Sequence, residues 1–122
     1  MCHVLVIEDD DSIAMIVADM VELGGATSVV QAATERTAIA AARQMPPAVI
    51  ISDVDLKQGG KGPLAVEAIR AELGPVPVIF LTATPHDCDP CDYAHAIITK
   101  PMNMRAFLET FAQVAPTSNG MA

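Results

Sequence analysis

Basic residues are scarce in this chain. Lysine and arginine together number 7 against 15 aspartates and glutamates, for a formal net charge of -8. A surface of that sign repels nucleic acid and anionic lipid over most of its area, which argues against direct binding to either. Long hydrophobic runs are lacking as well. The first apolar run, Val4 to Ile7, meets Glu8-Asp9-Asp10-Asp11 after four residues, too short for the core of a signal peptide and far too short to cross a bilayer. Cysteine is limited to three, an odd number that builds no disulfide framework and agrees with a reducing compartment. Together these absences point to a cytoplasmic protein. No internal repeat or low-complexity tract is present. The glycines of Lys57-Gln58-Gly59-Gly60-Lys61-Gly62 lack the spacing and the following Lys-Ser/Thr of a phosphate-cradling loop.

What is present is a core. Hydrophobic residues fill 52% of the 122 positions and charged ones 18%, enough to bury the interior of one domain. Residues 1–116 are expected to form it, with 117–122 a flexible tail. The stretch Val49-Ile50-Ile51-Ser52-Asp53 reads as a strand covered on both faces, whose last residue carries a carboxylate out of the core. Val4-Leu5-Val6-Ile7 is a second such strand and runs straight into the acids Glu8 to Asp11. Asp11 or Ser12 can cap the helix that follows, in which Ile13, Ile16, Val17, Met20 and Val21 recur at helical spacing up to Gly24-Gly25. Capping accounts for one or two of the four acids and leaves at least two.

Thr27 to Ala33 reads as a weaker strand, and Thr34 caps an alanine-rich helix from Glu35 to Gln44. Pro63 opens a further helix carrying Leu64, Val66, Ile69 and Leu73. Val78-Ile79-Phe80-Leu81 is a buried strand that exits at Thr82, and His95 to Thr99 is a last strand that exits into Lys100-Pro101. Asn103 caps a final helix, with Phe107, Leu108, Phe111 and Val114 on one face. Strands alternating with helices over short loops imply a parallel sheet with right-handed crossovers and helices on both faces. All the strand exits then lie along one edge, where Glu8, Asp9 and Asp53 converge with Thr82 and Lys100. Three carboxylates in one small site repel one another unless a divalent cation with hard oxygen ligands, magnesium above all, joins them. Such a site suits phosphoryl transfer to a carboxylate: metal and lysine neutralise phosphoryl oxygens, the hydroxyl donates to one, and one acid attacks.

The acidic pair Glu8-Asp9, then Asp53, Thr82-Ala83 and Lys100-Pro101, resembles the receiver domain of two-component response regulators, over the whole chain. The resemblance implies a flavodoxin-like α/β fold, a doubly wound sheet of five parallel strands in the order 2-1-3-4-5. It implies that Asp53 accepts a phosphoryl group from a histidine kinase or histidine phosphotransfer protein. It also implies a magnesium site in which Asp9 is a direct ligand, Glu8 acts through water and the main-chain carbonyl of Asp55 completes the set. Thr82 matches the switch hydroxyl and Lys100 the phosphate-binding lysine. The side chain of Asp55 would face the route of a hydrolytic water. The chain would act as a stand-alone receiver over residues 1–116, not an enzyme, passing its state to a downstream signalling protein.

Three departures from the family pattern stand out. Ile97 occupies the place of the aromatic residue three positions before the lysine, so the usual ring switch is missing. The loop after Asp53 is one residue longer than the commonest pattern. Between Thr82 and Lys100, Pro85-His86-Asp87-Cys88-Asp89-Pro90-Cys91-Asp92 has two prolines, three aspartates and no apolar stripe, so the fourth crossover helix should be shortened or missing. Apolar surface is then expected between the Phe80 and Ile97 strands, with that edge and the helix from Met104 to Val114 forming a homodimer or partner surface. Two other chemistries compete. Asp53-Val54-Asp55 also resembles the nucleophile motif of haloacid dehalogenase phosphatases, with Asp55 as general acid-base. His86, Cys88, Cys91 and His95 have zinc-like spacing, and Cys88 and Cys91 alone could be a dithiol; two cysteines without a joint role is the simpler reading. His3 is read as an ordinary strand residue.

Overall fold

The apolar runs become five strands: β1 (His3–Ile7), β2 (Ser28–Ala32), β3 (Val49–Asp53), β4 (Val78–Thr82) and β5 (Ala96–Thr99). The computed structural model describes residues 2–83, 93–100 and 103–116. All neighbouring strands pair in parallel, in the order β2-β1-β3-β4-β5. This is the flavodoxin-like, doubly wound arrangement that the sequence implied. β1, β3 and β4 lie inside the sheet and every one of their residues is buried, which is why they are apolar runs without alternation. β2 and β5 are the edges, and both carry exposed positions.

Among the described residues four α-helices cover the two faces: α1 (Asp11–Leu23), α2 (Glu35–Gln44), α3 (Gly62–Leu73) and α4 (Met104–Val114). Leu5, Ile7, Ile50, Val78 and Phe80 pack with Ala38, Ala42, Val66 and Ile69 of α2 and α3. Val4, Val6, Ile51, Ile79 and Leu81 pack on the other face with Val17, Met20 and Val21 of α1 and Phe107 and Phe111 of α4. The start of α1 differs from expectation. Asp10 is the cap, its Oδ1 accepting from the N–H groups of Ser12 at 2.9 Å and Ile13 at 3.1 Å, and its own backbone is the last extended one before the helix. Thr34 and Asn103 cap α2 and α4 as the sequence indicated.

The shortened fourth crossover falls on residues 84–92, outside the described residues, as do Pro101 and the tail from 117. The apolar exposure expected beside it is smaller than the sequence suggested. Phe80 is fully buried, and Tyr93 stands edge-on to it with ring centroids 6.1 Å apart. The Arg70 guanidinium of α3 lies 4.6 Å from the Tyr93 ring centre. Tyr93 thus covers part of Phe80 on this face. Phe107 and Phe111 are likewise fully buried, so the apolar face of α4 belongs to the core and not to a docking surface. The exposed apolar side chains at this end are Ile97, at 39%, and Met104, at 52%.

Candidate functional site

Parallel pairing brings the strand exits to one edge. Ile7 is level with Ser52, so Glu8 leaves β1 beside Asp53 at the end of β3. Asp53 pairs with Leu81, and Thr82 with Thr99. The N–H of Lys100 donates to the carbonyl of Thr82 at 2.9 Å, which ties the lysine to the end of β4. Glu8, Asp53 and Thr82 are buried, with 2%, 9% and 4% of their surfaces exposed.

The charges are unevenly matched. Oxygens of Glu8, Asp9 and Asp53 lie within 4.8 Å of one another. Against these three carboxylates stands one ammonium: Nζ of Lys100 is 3.4 Å from Oε1 of Glu8 and 3.4 Å from Oδ1 of Asp53. Burial pushes the Glu8 carboxyl up to about 7. The Asp53 charge and a hydrogen bond with Asp9 act in the same direction, while the Asp10 N–H and Lys100 oppose them. That N–H reaches Oε2 of Glu8 at 3.1 Å. A buried acid that retains its proton close to neutrality marks a place where negative charge exceeds what the protein itself balances. The donor set is all oxygen and clustered, with Glu8 and Asp53 buried and Asp9 half-buried, which fits a hard divalent cation such as magnesium. Among the described residues no other cluster of acids, histidines or cysteines of this kind is present.

The four consecutive acids divide among three surroundings. Glu8 and Asp9 face Asp53, Asp10 caps α1, and Asp11 accepts from Nε2 of Gln31 at 3.0 Å. The Asp55 side chain has partners within its own loop. Its Oδ1 accepts from the Lys57 N–H at 2.9 Å and lies 3.4 Å from Nζ of Lys61, and these partners hold its pKa below the ordinary value. Its carboxylate is therefore engaged by the loop that carries it. Gly62, at the start of α3, lies so close to the carbonyl of Asp53 and the hydroxyl of Ser52 that a Cβ there would collide with both. Of the zinc-like set, His86, Cys88 and Cys91 lie outside the described residues, and Nε2 of His95 is 2.6 Å from Oε1 of Gln113. His3 shares a hydrogen bond of 2.7 Å with the Ser28 hydroxyl.

The sequence profile of the response regulator receiver domain matches residues 4–112. The chain belongs to this family. Among solved structures, the chemotaxis protein CheY4 of Vibrio cholerae is 30% identical, with 93% of this chain and 98% of that chain covered and a TM-score of 0.81. The receiver domain of PhyR from Erythrobacter litoralis is 33% identical, with 93% and 88% covered and a TM-score of 0.83. The response regulator PhyR of Brucella abortus is 30% identical with a TM-score of 0.79; 93% of this chain is covered but only 47% of that one. This receiver thus spans about half the length of that regulator. Comparison with curated protein sequences finds no match.

Receiver membership displaces the haloacid dehalogenase reading, since the acid in question follows the third strand of a receiver sheet. As a receiver the chain is a signal-transduction module of the response regulator class. Two residues near the site escaped sequence reasoning. Gln31 carries no motif, and its only signal is its place on β2 one residue before the strand's end. Gly62 is the last glycine of the loop after Asp53, and its close approach to Asp53 is invisible until α3 is docked.

Proposed function

We propose that the chain is a phosphoacceptor of a two-component or phosphorelay system, in which Asp53 takes a phosphoryl group from a phosphohistidine donor. The observation that carries this reading is the single ammonium of Lys100 placed 3.4 Å from both Glu8 and Asp53 beside a group of three carboxylates. One carboxylate oxygen of Asp53 attacks phosphorus. The bond from phosphorus to the donor imidazole breaks with its electron pair returning to that nitrogen, and the ring, already protonated on its other nitrogen, leaves as neutral imidazole. Lys100 balances charge on one phosphoryl oxygen, and the Thr82 hydroxyl donates to another. Asp9, Asp53 and the Asp55 main-chain carbonyl would hold magnesium, with Glu8 acting through water. When bound, the ion supplies positive charge to the phosphoryl oxygens.

The protein is a carrier of the phosphoryl group and not an enzyme with turnover on small substrates. It operates in the cytoplasm, where its donor is a histidine kinase or a histidine phosphotransfer protein. Exposed apolar side chains suited to a helical partner stand at Met15 and Ile16 of α1 and at Met104 of α4, helices that pack against each other on one face of the sheet. Ile97 on the β5 edge and Met104 are the residues through which a downstream protein, or a second copy of the chain, would read the phosphorylated state. Replacing the Asp53 carboxylate, with one negative charge, by an acyl phosphate with about two adds about one negative charge beside Lys100, which would draw Lys100 and Thr82 towards it without an aromatic switch. Incubation with phosphoramidate and magnesium, followed by intact mass, tests the reading. One added phosphoryl group that is lost in Asp53→Asn supports it, and an unchanged mass under donor excess refutes it.

A further inference from the structure

β2 is an edge strand, and its fourth residue, Gln31, is exposed. Ala32 packs on the face covered by α2 and α3, and Val29 on the face covered by α1, so Gln31 shares the α1 face with Val29. From there its Nε2 donates to the main-chain carbonyl of Glu8 at 3.2 Å and to Oδ1 of Asp11 at 3.0 Å. Both partners are acceptors, so the amide nitrogen, and not its oxygen, must face them. The Glu8 carbonyl belongs to the peptide bond that joins Glu8 to Asp9. A peptide unit is planar, so holding that oxygen sets the plane from which Asp9 departs. The N–H of Glu8 is held by the Ala32 carbonyl at 2.9 Å. Gln31 and Ala32 therefore grip both polar atoms of the Glu8 main chain, and the second amide hydrogen keeps the Asp11 carboxylate at the strand edge, apart from the Glu8, Asp9 and Asp53 group.

We infer that Gln31 is a positioning residue for magnesium: its amide orients the Glu8–Asp9 peptide and holds Asp11 aside, so that the two acids reach the site already set. This rests on the reading of Glu8, Asp9 and Asp53 as the acids that hold the ion. Gln31→Met removes both donors at nearly constant size, and Gln31→Glu replaces them with a carboxylate facing Asp11 and the Glu8 carbonyl. Magnesium affinity is measured by calorimetry at pH 8, melting temperature in chelator, and phosphorylation rate by phosphoramidate against magnesium concentration. Gln31→Met should weaken magnesium binding about tenfold, the low end for loss of a partner behind a metal ligand, and Gln31→Glu at least as much. Metal-free melting should stay near wild type, and the rate at saturating magnesium should be restored. Wild-type affinity in Gln31→Met overturns the inference alone. So does a loss of affinity that comes with lower metal-free stability and a rate that excess magnesium does not restore. A wild-type protein that takes no magnesium overturns the inference together with the reading beneath it.

Discussion

Lowering the pH should loosen magnesium, and the structure sets both the window and the size. The Glu8 carboxyl is raised from 4.5 to about 7 in the metal-free protein, first by burial and then by the Asp53 charge. A divalent cation requires the ionised acid, so protons compete with it wherever Glu8 holds its own. With that carboxyl titrating at about 7, the apparent dissociation constant is unchanged at about pH 8, about doubled at pH 7 and roughly tenfold larger at pH 6. The last figure is about 1 kcal/mol of binding energy. The same shift acts on stability without metal. An acid whose native pKa lies above its unfolded value makes the folded state bind protons more tightly, so metal-free stability is highest below about pH 4.5 and falls as pH rises through about 7. The full fall is ~3 kcal/mol, the span from 4.5 to about 7 at about 1.4 kcal/mol per unit of pH. Calorimetric titration of magnesium at pH 8, 7 and 6 measures the first effect, with Glu8→Gln as the control whose profile should be flat across the window. A wild-type affinity that does not change between pH 8 and 6, or an equal slope in Glu8→Gln, would refute the electrostatic account of Glu8.

Lys100→Met removes the one cation beside Glu8 and Asp53. Metal-free melting should drop by the equivalent of ~1–3 kcal/mol at pH 8, while the rise in melting temperature on adding magnesium should exceed that of wild type; an equal or smaller rise would show that the lysine does not share the acids with the ion. Gly62→Ala forces a methyl group against the Asp53 carbonyl and should cost about 1–3 kcal/mol in chemical denaturation, as overpacked positions do; a neutral result would mean that the strand end yields without strain. Lys61→Ala removes the ion pair of the Asp55 carboxylate and leaves only the Lys57 N–H on its Oδ1, so its other oxygen can orient water; this should shorten the lifetime of phosphorylated Asp53, followed by loss of intact mass, whereas Asp55→Ala should leave it near wild type because in the native protein that carboxylate is engaged by both; a longer lifetime in Asp55→Ala would support the hydrolytic role that the sequence suggested. Met104→Glu, at an exposed position, should abolish any phosphorylation-dependent dimer seen by sedimentation and leave melting unchanged, in contrast to Phe111, whose substitution by a charge would unfold the core. A dimer that survives it would lie on another face.

The strands were legible because strands covered on both faces are built on continuous apolar runs, and Val4–Ile7, Val49–Ile51 and Val78–Leu81 are such runs. Their order was legible only through the resemblance, since alternation of strands and helices implies a parallel sheet but does not say which strands are neighbours. The acids, the hydroxyl and the lysine were visible as polar residues placed where apolar runs stop. Their convergence follows from parallel pairing, which puts every strand exit on one edge.

Local pattern could not divide the work among Glu8, Asp9, Asp10 and Asp11. All four are acids in a row, and the cap is decided by where the chain turns from extended to helical, which lies one residue earlier than composition suggested. The same limit applies to Phe111 and Phe80. An amphipathic stripe declares that a face is apolar but not what covers it, and here the sheet takes Phe111 while Tyr93 takes Phe80. The chemistry of the site, its carboxylates and its one lysine, was determined by the sequence alone, because side-chain type and position at a strand exit suffice to define it. The ion pair of Asp55 with Lys61, the grip of Gln31 on the Glu8 carbonyl and the approach of Gly62 to Asp53 were decided only by tertiary structure. Each depends on atoms brought within a few ångströms by the packing of loops and helices around the sheet, and linear spacing carries no record of such distances.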